Sequence, residues 1–87
     1  MEIKKYLLSK NIQPKMKGFG YLATAIEMCQ EQGYAQHLYD EIYPEIALLN
    51  KDKPENISRA VFYALSKTGM TATNFIARAL IDLEENK

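Results

Sequence analysis

The chain has little of what most site chemistry requires. Cys29 is its one cysteine and His37 its one histidine. A lone thiol cannot close an internal disulfide, so a reducing cytoplasm is the expected location. That pair also falls short of the ligand sets that hold zinc, and neither a metal nor another cofactor is expected. No stretch approaches the roughly 18 consecutive apolar residues of a membrane span. The opening Met1-Glu2-Ile3-Lys4-Lys5 leads only into Tyr6-Leu7-Leu8, too short an apolar run for a signal peptide. No alternation of β-branched and polar residues marks a strand pair.

Catalytic groupings are missing as well. His37 sits one helical turn before Asp40 and Glu41, with no nucleophile beside it, and reads as a surface residue. Asp40, Glu41 and Glu45 read as a solvated helix face rather than a metal site. Cys29 falls on an apolar stripe, where an inert buried thiol is the default. The six tyrosines read mostly as rim-of-core residues with the hydroxyl in water. No small-molecule ligand is evident, and the chain does not read as an enzyme.

Net charge is zero, which by itself argues mildly against a nucleic-acid partner. Its distribution is less even. Residues 1–17 hold Lys4, Lys5, Lys10, Lys15 and Lys17 against Glu2 alone. Residues 18–50 contain five acids and no Lys or Arg, whereas 51–70 carry Lys51, Lys53, Arg59 and Lys67 against Asp52 and Glu55. Two positive segments around an acidic centre can meet in space as a basic face, or remain scattered on a solvated surface.

Eighty-seven residues are enough for one thin core, and we expect a single domain over 1–87. Glycines and prolines punctuate a run of helical patterns, giving an all-α bundle of about five helices. The first covers Ile3 to Ser9. The second begins near Lys17 or Gly18 and runs to Gln32, with Gly33 as its stop; Leu22, Ala25, Ile26 and Cys29 form its stripe. A third spans about Ala35 to Asn50, with Leu38, Ile42, Ile46 and Leu49 on one side and a break or kink at Pro44. The fourth opens on Asp52 and Glu55, a capping-box spacing with Pro54 in the first turn, and ends at Gly69. Ile57, Ala60, Val61, Ala64 and Leu65 form its inner face. The last runs from Thr71 or Thr73 to Glu85, burying Phe75, Ile76, Ala79, Leu80 and Leu83.

A short helix from Pro44, a turn around Lys51, and a longer helix after Pro54 have the order of a helix-turn-helix over about 44–67. Ala47 supplies the small residue where the second helix packs close, with Ile57 as its partner. With Ile57, Val61 and Leu65 inside, Asn56, Ser58, Arg59, Phe62, Tyr63 and Ser66 face outward. On DNA, Arg59 would pair with guanine and Asn56 with adenine, while Lys51 and Lys53 would hold phosphates. Phe62 and Tyr63 would touch thymine methyls, close on the backbone, or pack on a neighbouring helix. Antiparallel helical hairpins with no DNA role share this spacing, so both readings stay open here.

Four segments carry a resemblance: Lys17-Gly18-Phe19-Gly20-Tyr21-Leu22, Ile42-Tyr43-Pro44-Glu45-Ile46-Ala47, Ser58-Arg59-Ala60-Val61 and Asn74-Phe75-Ile76-Ala77. They resemble the C-terminal, DNA-binding effector domain of the sporulation master transcription factor, the stage-zero response regulator of spore-forming bacteria. The resemblance covers about Ile12 to Leu83. It implies a helix-turn-helix transcription regulator that binds double-stranded DNA, as a homodimer or a tandem pair on repeated sites. In the family the recognition helix presents two arginines and a glutamate to bases, followed by a basic pair. Arg59 matches the second arginine. The first falls on Asn56, the glutamate on Ser58 and the basic pair on Phe62 and Tyr63, so weaker phosphate attraction and a different site are expected. The segment between the fourth and last helices is shorter than in the family, and a small helix found there should be missing. The family's receiver domain is not expected, leaving a stand-alone homologue or a fragment. Arg59, with Asn56, Ser58 and Tyr63, is thus the expected base-reading set, and Lys51 and Lys53 the phosphate set. The alternative is a protein-interaction module that kept the fold and lost DNA.

Overall fold

The second helix organises the rest. In the computed structural model, which describes residues 2–85, α1 (Ile3–Ser9) and α2 (Lys17–Gln32) are followed by a single π-helical turn (Leu38–Ile42). That turn runs directly into α3 (Tyr43–Leu49), and α4 (Pro54–Ala64) and α5 (Ala72–Glu85) complete the chain. There is no strand among the described residues. Among the described residues the fold is all-α with five α-helices, as the periodicity requires, and no helix is long and apolar enough to cross a membrane.

α2 packs against every other element because its apolar residues are not confined to one edge. Phe19, Leu22, Ala23, Ala25, Ile26 and Cys29 are all buried, and they reach α1, α3, α4 and α5. The most extensive contact is with α4. There Gly18 lets two backbones approach: a Cβ at this position would collide with the Ala60 carbonyl oxygen and lie 2.7 Å from Ala64 Cβ. Small residues on both helices therefore set the depth at which α4 seats.

Each helix end has a local cause. α2 stops at Gly33, whose φ of 87° is left-handed and whose N–H donates to the Cys29 carbonyl. α1 and α3 close with the same device, without glycine. Asn11 at φ 64° lets the Ile12 N–H reach the Leu7 carbonyl at 3.1 Å; Lys51 at φ 54° lets the Asp52 N–H reach the Ala47 carbonyl at 2.8 Å. These are Schellman closures, and the second one is the turn between α3 and α4. Thr71 caps the start of α5, its hydroxyl accepting from the Asn74 N–H.

Four expectations need correction. The third pattern does not start at Ala35: regular structure begins at Leu38, and Pro44 sits in the first turn of α3, where its missing N–H costs nothing. Leu49 is 67% exposed: it is the last residue of α3 and lines an open groove with Glu41 and Glu45 rather than joining Leu38, Ile42 and Ile46 in the core. Asp52 and Glu55 form no capping box. Lys53 is the N-cap, one residue later than the box requires, and no side chain caps it. α4 ends at Ala64, and turns rather than helix connect it to Gly69, itself at φ 71°. No separate helix intervenes before α5.

The chain ends are tied across the core. Tyr6, buried on α1, donates its hydroxyl to Asp82 Oδ2 on α5 at 2.7 Å, and its ring meets Phe75 edge-on. Arg78 reaches the other carboxylate oxygen at 3.3 Å. Burial and this hydrogen bond push the Tyr6 phenol up. The Tyr6 hydroxyl, ahead of the nearby Arg78 charge, holds the Asp82 carboxyl below the usual range.

Three outcomes follow for stability. Gly18→Ala should destabilise by up to about 3 kcal/mol, since overpacking against backbone outweighs the helix-propensity gain. Gly20→Ala, where an added Cβ meets nothing within 4 Å, should stabilise by about 0.5–1 kcal/mol. Urea unfolding of the pair checks the opposite signs. Lys51→Gly should raise the unfolding midpoint, with about 1 kcal/mol gained from relieving a left-handed non-glycine residue. Because the Asp82 pKa is depressed on folding, its contribution is present above the ordinary aspartate value of about 3.9. It fades as pH falls through the lower folded value. An NMR titration should find Asp82 below that reference in the parent and shifted upward in Tyr6→Phe; identical titration curves would contradict the tie.

Candidate nucleic-acid interface

The inner face of α4 is fully committed. Ile57, Val61 and Ala64 are buried in the core, as is Leu65 immediately after the helix, while Ala60 packs under Gly18. With an apolar stripe taken up at i, i+4 and i+7, the opposite face must point outward. Arg59 lies on that face, exposed, and makes no ion pair with any described residue. Ser58 is half-buried and Asn56 exposed.

The expected base-reading residues all lie on α4 and the two phosphate-site lysines in the connection before it, but they are not equally free. Asn56 Nδ2 donates to Asp52 Oδ1 at 2.7 Å, and the Lys53 N–H donates to the same oxygen at 2.8 Å. These bonds, the Asn56 one foremost, hold the Asp52 carboxyl below its usual range. Asn56 keeps one amide hydrogen and its carbonyl oxygen for another partner. Lys51 and Lys53 are exposed in the connection, positioned by the left-handed closure of α3. Ala47 and Ile57 are buried on the two facing helices.

Phe62 and Tyr63 do not fold back on the protein. They are 66% and 56% exposed, with their rings edge to face. Both line one groove with Tyr39, Tyr43, Ser58 and Arg59. Phe62 shares a groove with Tyr39, Tyr43 and Ser58, and Tyr39, 66% exposed, packs edge-on to Tyr43. Tyr63 also lines a second groove, whose other walls include Lys15 and Lys67. The aromatic flank from the π-turn was not legible in the sequence, because Tyr39 lies far from α4 along the chain. Its only signal was the tyrosine content.

The acidic middle of the chain goes elsewhere. Glu27, Glu31, Glu41 and Glu45 line one groove between α2 and the α3 region, away from Arg59. Of the acids near the outward face of α4, Asp52 is engaged with Asn56 and Lys53, and Glu55 stands one turn before Arg59. His37 is exposed and lies 3.9 Å from Asp40, and Cys29 is buried with its thiol pKa pushed up by desolvation.

Neither the curated proteins nor the solved structures gave a match to this chain. A family model did, over residues 3–82: Sporulation initiation factor Spo0A C terminal. That family is a DNA-binding domain of a sporulation regulator, not an enzyme family. The matched span takes in all of α1 to α4 and most of α5, including the exposed face that carries Arg59, and the chain therefore belongs to the Spo0A C-terminal domain family.

Proposed function

We propose that this chain binds duplex DNA in the cytoplasm as a transcription regulator, reading bases with the outward face of α4. The observation that carries the reading is Arg59: an exposed guanidinium, without an ion pair among the described residues, on the second helix of a helix-turn-helix order, in a family of DNA-binding domains. Its fork of donors matches the two acceptors on a guanine edge. Asn56, whose amide is oriented by Asp52, has the donor and acceptor left over that an adenine edge requires. Ser58 and Tyr63 border the same contact, and Lys51 and Lys53 at the turn fix register on the phosphates. A homodimer or a tandem pair of copies on repeated sites would supply the affinity that one small, net-neutral module lacks.

A second reading draws on the aromatic flank. Tyr39 and Phe62, both largely exposed beside one groove, have the composition of a protein-interaction surface. Anisotropy titration with duplex DNA at rising salt separates the two, because phosphate-driven binding weakens steeply with salt. On a sequence selected from random duplexes, Arg59→Ala should lose about 1–3 kcal/mol of binding. Equal affinity of variant and parent for that sequence would remove Arg59 from the base-reading role.

A further inference from the structure

The amino-terminal lysines and the one after α4 are far apart in sequence but adjacent in space. A groove beside the carboxyl end of α4 is lined by Lys10, Lys15 and Met16 on one wall and Tyr63, Ser66 and Lys67 on the other. No Asp or Glu lines it among the described residues. Lysines from the two basic stretches of the chain therefore share one groove at the carboxyl end of the proposed recognition helix, and Tyr63 borders both it and the groove of Tyr39, Tyr43, Phe62 and Arg59.

The three lysines differ. The Lys10 ammonium stands 5.4 Å from the centre of the Tyr6 ring, and its charge is felt by Asp82. It is already engaged in the α1–α5 tie. Lys15 and Lys67 are exposed and pair with no described carboxylate.

We propose that Lys15 and Lys67 grip the DNA phosphate backbone at the carboxyl end of α4, with Lys51 and Lys53 gripping it at the amino end. The proposal rests on the DNA-binding reading above and says how the duplex is seated. The eleven residues of α4 rise roughly 16 Å. That separation is enough for the two lysine pairs to reach phosphates on either side of a major groove about 12 Å wide, with Arg59 between them.

The test is the slope of log affinity against log salt, read by fluorescence anisotropy with a short labelled duplex of mixed sequence. Lys15→Gln and Lys67→Gln should each lower the slope by about 0.9, and the double variant by about twice that, equally on all sequences. Lys10→Gln should leave it unchanged. Thermal melts by circular dichroism should match the parent for Lys15→Gln and Lys67→Gln, whose side chains are exposed. A double variant with the parent's slope overturns the grip while the DNA reading stands, and so does an equal loss in Lys10→Gln. A parent that binds no duplex at low salt overturns both.

Discussion

The architecture depends on one backbone-to-backbone approach. Gly18 on α2 has no side chain, and the Ala60 carbonyl and Ala64 methyl of α4 occupy the space a Cβ would take. Since α2 touches every other helix, the seating of α4 on α2 also sets how α3 and α5 close around it. A steric limit of this kind is sharper than hydrophobic burial. Apolar area tolerates a shift of a few tenths of an ångström, whereas overlapping backbone atoms do not. The outward projection of α4 is a consequence: the deeper its small residues sink against α2, the more completely its inner face is consumed.

The connection from α3 to α4 adds a second constraint. A four-residue turn with Lys51 left-handed ends one helix and presents Asp52 to the start of the next. Asp52 then takes the Asn56 amide and the Lys53 N–H rather than capping the helix through a reciprocal box. The carboxylate thereby orients a side chain on the exposed face. It also leaves the turn with a local acid between two lysines, which tempers the attraction that Lys51 and Lys53 alone would exert on a polyanion.

Zero net charge and membership in a DNA-binding family are compatible because the charges are sorted by the fold. The acids of the chain's middle collect between α2 and the α3 region, and Lys10, Lys15 and Lys67 gather beside α4. Field at a surface depends on which charges share it, not on the total. The aromatic groove of Tyr39, Tyr43 and Phe62, which Arg59 and Tyr63 also line, carries the surface on which an alternative partner would act.

Helix content, the inner face of α4, and Arg59 as its outward cation were legible from spacing alone, because amphipathic period and side-chain direction are local properties. The Lys17-Gly18 and Tyr43-Pro44 segments likewise carried the family before any fold was known. Leu49, the missing capping box and the early end of α4 were not legible. Each turns on one residue of winding or register, which tertiary packing decides. Gly18 read only as a helix start, since its role is set by Ala60 and Ala64, about forty residues away. The same holds for the site: the sequence determined which charges exist, and only folding placed Lys15 beside Lys67 and Tyr39 beside Phe62, because proximity across a core is a property of packing and not of order along the chain.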